Sequence, residues 1–134
     1  MSNFIKSYQA NVGLNHTPAY QVSGQPFASG NIDATDAVSV QFPYVTRWVQ
    51  VFNHGSADVK VGFSEAGVSG SNYFRVPAPA TTDNAQSARL ELKVSELWLY
   101  GTNGVDVVAG LTSIPASRTT TTDGPSWSGS AGVG

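Results

Sequence analysis

Cysteine is absent from the 134-residue sequence, and charged residues are scarce. Without cysteine the chain has no disulfide, no thiolate zinc site and no cysteine nucleophile. Charged residues make up 12% of the chain, about half of the ~25% that is usual. A nucleic-acid binder normally carries a basic patch or stripe, and seven Lys and Arg against nine Asp and Glu make a poor one. The composition therefore predicts no nucleic-acid partner.

Long apolar runs are absent as well. No run approaches the ~18 residues of a membrane-spanning helix, and residues 1–10 have no hydrophobic signal core. We therefore expect no membrane association, and nothing in this segment marks the chain for secretion. The length suits a single domain. Straight-chain helix formers are few, whereas Val and Thr, which favour strands, are frequent.

Short strand-like runs fill the middle of the chain. The turn composition of 53–58 predicts a hairpin, and the two apolar faces of 47–52 predict a central strand. With no alternation of strands and helices, the pattern predicts an all-β fold, a single antiparallel β-sandwich that is jelly-roll-like. The runs are 38–42, 47–52, 59–63, 73–76, 89–94, 97–100 and 105–111. The predicted core consists of Val40, Phe42, Val49, Val51, Val61, Phe63, Leu90, Leu92, Leu97, Leu99 and Val107.

Polar segments that contain Gly and Pro flank the predicted sandwich. We divide the chain into an extended N-terminal arm at 1–36, a β-sandwich core at 37–111 and a flexible Thr/Ser/Gly-rich tail at 112–134. The arm has more aromatics than disordered tails usually have, so we expect it to dock its apolar side chains on a surface. Trp127 in the tail is either a chance surface residue or an anchor on a neighbouring surface. The arm residues expected to make contacts include Phe4, Ile5, Tyr8, Leu14, Tyr20 and Phe27.

A Trp–Tyr pair is a further candidate interaction feature. In the run 97–100, Trp98 and Tyr100 share one face, and Leu97 and Leu99 share the other. If the leucine face is core, the Trp–Tyr face points outward and is expected to be buried against a second surface. The alternative is that the sandwich buries both faces internally.

Catalytic and metal-binding patterns are not found in the sequence. His16 and His54 share no metal-ligand spacing, and neither has a carboxylate at a useful offset. There is no G-x-S-x-G nucleophile elbow, no phosphate-binding loop and no Rossmann fingerprint. The few carboxylates are expected at the surface or in capping roles. We therefore predict no enzyme activity, no cofactor and no bound metal.

Several stretches of strand and turn sequence carry a resemblance: 49–53 (VQVFN), 58–64 (DVKVGFS), 72–76 (NYFRV), 90–99 and 107–115. Over roughly residues 38–115 the chain resembles the jelly-roll decoration (cement) proteins and minor capsid proteins of tailed phages and related viruses. The resemblance implies a viral structural protein on the capsid exterior, assembled in the host cytoplasm. It also implies that the chain binds the major capsid protein and clamps neighbouring subunits, often as a homotrimer. It implies no catalytic residues.

Two other functions remain as alternatives. A carbohydrate-binding β-sandwich module of a host-attachment fibre or tail needs an exposed aromatic platform with polar neighbours. A small hydrolase or isomerase on a jelly-roll barrel needs a convergent cluster of His and carboxylate side chains. Two histidines without a shared spacing do not indicate such a cluster.

Overall fold

The computed structural model of the protein describes residues 13–22, 24–121 and 124–134. Strands dominate these residues, which also hold two five-residue α-helices and one turn of 3₁₀ helix. The strands are β1 (Gln25–Asp33), β2 (Val38–Gln41), β3 (Tyr44–Asn53), β4 (Val59–Gly62), β5 (Tyr73–Val76), β6 (Glu96–Tyr100), β7 (Asn103–Pro115), β8 (Thr120–Thr121) and β9 (Gly124–Pro125). The helices are α1 (Thr17–Gln21), α2 (Glu65–Ser69) and the 3₁₀ turn Ala116–Thr119.

Seven of the strands form two antiparallel sheets that pack face to face. The strand order is β1-β7-β3 in the three-stranded sheet and β2-β6-β4-β5 in the four-stranded sheet, while β8 and β9 pair separately. The apolar core lies between the two sheets and consists largely of inward-facing Val and Leu side chains from both. The predicted all-β antiparallel sandwich is therefore confirmed.

Residues 85–94 lie along the outer edge of β3. Val49 and Leu90 exchange both backbone hydrogen bonds, at 2.9 and 2.8 Å, and Asn53 N donates to Ala85 O at 2.8 Å. The bridges between this segment and β3 are antiparallel. The segment therefore acts as a fourth, irregular strand of the three-stranded sheet, and it covers an edge that would otherwise be open.

The expectation of a regular strand at 89–94 is wrong, and two hydroxyl groups explain why. Thr46 Oγ1 accepts a hydrogen bond from Val94 N at 3.1 Å. In the same way, Ser87 Oγ accepts one from Val51 N at 2.9 Å. Because these side chains take places that backbone carbonyls hold in a regular ladder, the segment stays on β3 without strand geometry.

The connections follow the jelly-roll pattern. With residues 85–94 counted as the sixth strand along the chain, the layer orders become 1-8-3-6 and 2-7-4-5. Every connection except the one between β4 and β5 then crosses from one sheet to the other, as expected for a jelly roll. The hairpin predicted around residues 53–58 is wrong, because β3 pairs with β7 whereas β4 pairs with β5 and β6.

Most of the predicted core positions are buried between the sheets. Within β3 the inward face is that of Val49 and Val51. Phe63, Leu90 and Leu92 are only half-buried at the margin of the core, the last two because their segment lies at the sheet edge. The predicted positions that are buried are Val40, Phe42, Val49, Val51, Val61, Leu97, Leu99 and Val107.

The sandwich extends beyond both of the limits expected from the sequence. β1 lies inside the predicted arm, 1–36, yet it pairs with β7, and its Phe27 ring packs edge-on against Phe42 at 4.9 Å. This strand contains Pro26 and a bulge in which Asn31 has a φ of 54°. Because both interrupt the alternation of apolar and polar residues, the sequence pattern does not indicate a strand here. At the other boundary, β7 continues past the predicted core limit at 111 to residue 115.

Two leucines test the position of the core margin. Leu99→Ala should lower the free energy of unfolding by about 2–5 kcal/mol, because Leu99 is fully buried and truncation leaves a cavity. Leu92→Ala should lower it clearly less, because Leu92 is half-exposed at the sheet edge. Urea denaturation followed by far-UV circular dichroism measures both losses. Equal losses would contradict the assigned margin.

Candidate interaction surfaces

The outer face of the four-stranded sheet carries the Trp–Tyr pair. Leu97 and Leu99 are fully buried, so Trp98 and Tyr100 point away from the core, as alternation along β6 predicts. Trp98 is half-buried, and its Nε1 donates a hydrogen bond to Glu96 Oε2 at 2.5 Å. Tyr100 is 36% exposed. The pair therefore lies on the outside of the sandwich, with Tyr100 the more accessible ring.

Helix α2 covers part of this outer face. Val68 of α2 is fully buried, and its Cγ1 lies 2.6 Å from where a Cβ on Gly62 would be. A glycine in β4 is therefore required for α2 to approach the sheet so closely. Ser64 caps the helix by accepting a hydrogen bond from Gly67 N at 2.9 Å. Beyond α2, Arg75 and Tyr100 of this face are exposed, and Lys60 and Tyr73 are half-buried.

Lys60, Tyr73, Arg75 and Tyr100 form the open part, which we call the cationic face. The Lys60 ammonium lies 4.7 Å from the ring centroid of Tyr73 and 5.6 Å from that of Tyr100. Arg75 Nη2 donates to the Tyr73 hydroxyl at 3.3 Å. These cation–π contacts keep the charged groups on the sheet. Neither Lys60 nor Arg75 forms an ion pair with a carboxylate of the described residues.

The two cations change the acidity of Tyr73. The hydrogen bond from Arg75 lowers the pKa of this phenol below its ordinary value, and the Lys60 charge lowers it further. Both effects stabilise the phenolate over the neutral phenol. Tyr73 thus reports the positive potential of the cationic face.

One end of the sandwich is acidic, and we call it the acidic end. The connections 34–37, 54–58, 77–84 and 101–102 meet there, and none of them contains Lys or Arg. Backbone hydrogen bonds tie the connections together, for example from Ala34 N to Thr102 O at 2.9 Å. The carboxylates in or beside these connections are Asp33, Asp36, Asp58, Asp83 and Asp106.

A buried amide fixes the loops of the acidic end. Asn53 is fully buried, and its Nδ2 donates to Ala57 O at 2.9 Å and to Val76 O at 3.1 Å. Its Oδ1 accepts from Gly55 N at 2.8 Å. Because one side chain satisfies three backbone groups, the connection after β3 is held against the end of β5.

His54 and Asp106 form a contact at the acidic end, although neither histidine has a carboxylate at a useful offset in the sequence. His54 Nε2 lies 3.2 Å from Asp106 Oδ2, and Asp106 Oδ1 accepts from Asn31 N at 2.7 Å. The contact follows from the β3–β7 register, in which Phe52 lies opposite Asp106. The side chains of the pair are 65% and 39% exposed. Solvent therefore weakens their attraction.

A shallow depression of about 380 Å³ lies beside the His54–Asp106 pair. A His–carboxylate pair can accept or release a proton when a substrate is bound next to it. Apolar side chains and backbone from β1, β3 and β7 form most of the lining. The lining residues are Ala28, Ser29, Gly30, Phe52, His54, Asp106, Val107 and Val108.

The arm residues predicted to dock on a surface contact the chain's own sandwich where they are described. Leu14 and Tyr20 pack against a small cluster that contains Val45 and Ile114, and the Tyr20 hydroxyl donates to Leu14 O at 2.5 Å. Phe27 lies in β1, as described above. Phe4, Ile5 and Tyr8 lie outside the described residues. Contacts of these side chains with a partner stay a prediction.

Trp127 also docks on the chain's own domain. Its ring packs against the main core, and its Nε1 donates to Phe63 O at 3.0 Å. A second bond, from Ser64 Oγ to Val133 O at 2.7 Å, fastens the segment after β9 beside α2. The ring is therefore an anchor, and its surface is the protein's own sandwich rather than a neighbour's.

The outer face of the three-stranded sheet carries another tryptophan, Trp48. Its ring packs directly on Gly110, where a Cβ would lie 2.3 Å from Trp48 Nε1. The Arg89 guanidinium lies 5.8 Å from the ring centroid, and Arg89 also pairs with Glu91 at 2.7 Å. A glycine at position 110 is thus required for the ring to lie on the sheet. Sequence reasoning did not select Trp48, because both faces of β3 are apolar.

Comparison with known proteins does not indicate a function for the chain. No protein-family model matches the chain, and neither a characterised protein nor a solved structure matches it significantly. Within residues 13–22, 24–121 and 124–134, no helix is both long and apolar enough to cross a membrane. The same residues contain no group of three or more His, Asp or Glu side chains placed to hold a metal ion.

The acidity of Tyr73 tests the cationic face. Tyr73 should ionise at a lower pH than an unperturbed tyrosine, and Arg75→Met should raise its pKa because the main hydrogen bond to the phenol is lost. A ¹³C NMR titration of the tyrosine ring carbons follows the ionisation. Arg89→Met, on the other sheet, serves as the control and should leave Tyr73 unchanged. An unchanged Tyr73 pKa in Arg75→Met would show that the contact is not formed in solution.

Proposed function

We propose that the protein is a viral structural protein, a capsid decoration protein that binds the outer capsid surface and stabilises contacts between major capsid subunits. The observation that carries this proposal is the outer face of the four-stranded sheet. There, aromatic and cationic side chains lie on a solvent-facing surface of a jelly roll. Jelly rolls occur in viral capsid proteins, in lectins and in cupins, so the fold alone does not select among these functions.

The chemistry of the face favours a macromolecular partner. Tyr, Trp and Arg are enriched in protein–protein interfaces and at their energetic hot spots. The rings are large, and the cation–π contacts of Lys60 limit the conformational entropy that binding would cost. The outer face of a sheet suits contact with another protein surface better than enclosure of a small substrate.

A repeating lattice would make even a modest contact effective. Each copy bound to one capsid holds its neighbours at high effective concentration, so weak contacts add up without a large interface for each copy. The low charged fraction, 12% of the chain, limits repulsion between copies that lie close together. Both features agree with a role on the outside of a shell.

Particle binding tests this function. The chain should copurify at fixed stoichiometry with particles assembled from the major capsid protein of the virus that encodes it. Tyr100→Ser should weaken binding to undecorated particles about tenfold, because it removes the most exposed aromatic ring of the face. Val22→Ser removes another exposed apolar side chain elsewhere and is the control. Full occupancy by Tyr100→Ser at wild-type affinity would exclude this face as the contact.

A deletion that tests the predicted arm, 1–36, has to end before the sandwich begins. Because β1 begins at Gln25 and belongs to the sandwich, removal of residues 2–30 would damage the fold. Removal of residues 2–12 tests whether Phe4, Ile5 and Tyr8 contribute to particle binding. If they do, affinity falls while the circular dichroism spectrum stays that of the full chain.

A carbohydrate-binding module is the second candidate, and Trp48 is the observation that favours it. The ring lies on the outer face of the three-stranded sheet beside Gln50 and Arg89, which supplies an aromatic surface with polar neighbours. On a glycan array, a specific signal that Trp48→Ala abolishes and Trp98→Ala retains would support this function. Glycan binding without particle binding would replace the capsid proposal.

A further inference from the structure

We propose that the cationic face binds the acidic end of a second copy of this chain, so that copies associate head to tail. We infer a second copy as the partner because the chain itself carries both a cationic and an acidic surface, and these are complementary in charge. The inference concerns the contact of the protein with itself. It stands whether or not the chain decorates a capsid.

The cationic face lacks an internal partner for its charges. Lys60 and Arg75 interact with Tyr73 and Tyr100, but neither pairs with a carboxylate of the described residues. The carboxylate that is nearest to Lys60 in sequence, Asp58, instead accepts a hydrogen bond from Ala78 N at 2.9 Å. The face therefore has two positive charges available to an external anionic surface.

Within the described residues, no Lys or Arg pairs with the carboxylates of the acidic end. Asp36 and Asp83 are exposed, and the connections that carry them contain no Lys or Arg. Asp33 accepts hydrogen bonds from Thr35, from Oγ1 at 2.6 Å and from the backbone at 3.1 Å, which hold its carboxylate in place. His54, the one basic side chain at this end, already contacts Asp106. The end therefore presents a fixed negative surface.

The segregation of charge is pronounced for a chain with so few charged residues. Asp36, Asp58 and Asp83 lie within the connections of the acidic end, which contain no Lys or Arg, whereas Lys60 and Arg75 lie in the adjoining strands. Tyr100 adds apolar area to the cationic face, since it is 36% exposed in a position next to the connection at 101–102. Opposite charges around a partly apolar centre are the arrangement that steers and orients association.

The positions of the two surfaces explain why they meet between copies and not within one. Lys60 follows the connection 54–58, and Tyr100 precedes the connection 101–102, so the cationic face adjoins the acidic end at a shared rim. Two adjoining surfaces on one rigid sandwich cannot turn toward each other. They differ from one another, so the contact is heterologous, and copies joined by it form a ring where the rotation closes and an open chain where it does not.

Sedimentation velocity on the full chain tests the contact. The wild-type protein should self-associate at low salt, and its dissociation constant should rise with salt because exposed charges are screened. Lys60→Glu with Arg75→Glu should raise the dissociation constant about tenfold or more. Arg89→Glu with Arg118→Glu changes the net charge equally on other surfaces and is the matched control. This control should associate like the wild type.

Exchanging the charges of the two surfaces tests whether the partner of the cationic face is a second copy of this chain. Asp36→Lys with Asp83→Lys should also weaken association, and among the described residues neither aspartate accepts a hydrogen bond that the substitution would remove. The four changes together put negative charge on the cationic face and two lysines on the acidic end, so they should recover part of the lost association at low salt. Far-UV circular dichroism confirms folding of each variant before the comparison.

Three results would overturn the inference. They are a wild-type chain that is monomeric at low salt, an unchanged dissociation constant in Lys60→Glu with Arg75→Glu, and a folded fourfold variant that associates no better than Lys60→Glu with Arg75→Glu. In the last case the cationic face takes another partner, such as an acidic capsid surface. Particle binding measured on the same variants then separates that outcome from failure of the capsid proposal.

Discussion

The pairing of β7 with both β1 and β3 is the interaction on which the rest of the structure depends. β7 is the central strand of the three-stranded sheet, and its inward face supplies Val105, Val107, Ala109 and Leu111 to the core. Its outward face places Asp106 beside His54 and leaves room for Trp48 at Gly110. One strand thus organises the core and one side of the surface. Its partners lie far away in sequence, so such a fold is expected to form slowly compared with a helical bundle.

The covered edge of β3 completes the sandwich. Residues 85–94 bind this edge through a mixture of backbone and hydroxyl groups, including those of Thr46 and Ser87. The segment ends in Val94, which is buried, and leads directly into β6. Hydroxyl contacts therefore allow an irregular chain to protect the β3 edge, and its irregularity leaves no regular ladder on that side for another strand to join.

The sequence allows prediction of those features that depend on local alternation alone. Leu97 and Leu99 are core and Trp98 and Tyr100 are outside because β6 is regular and one of its faces packs on the opposite sheet. The same reasoning failed for 89–94, where a distant hydroxyl from Thr46 replaces the ladder.

Features that depend on distant pairing were not predictable from one sequence. β1 was assigned to the arm because an edge strand with a proline and a bulge shows no alternation. The contact between His54 and Asp106 was missed because strand register, not local spacing, brings the two together. The cationic face was missed for the same reason, since Lys60, Tyr73 and Tyr100 come from three strands.

Several of the aromatic side chains first considered for partner binding pack against the chain's own domain, which limits the surfaces that a partner can contact. Three aromatic rings pack against the chain's own sandwich: Trp127, Phe27 and Tyr20. Their burial stabilises this domain. Each ring could contact a neighbouring molecule only if the segment that carries it were released from the sandwich. One surface that these rings leave open to association is the cationic face, where the exposed Tyr100 lies beside Lys60. Contacts made there combine a small apolar area with exposed charges, which salt screens strongly. Individual contacts of this kind are weak, and they become stable chiefly where geometry repeats them, in a closed ring or on a lattice.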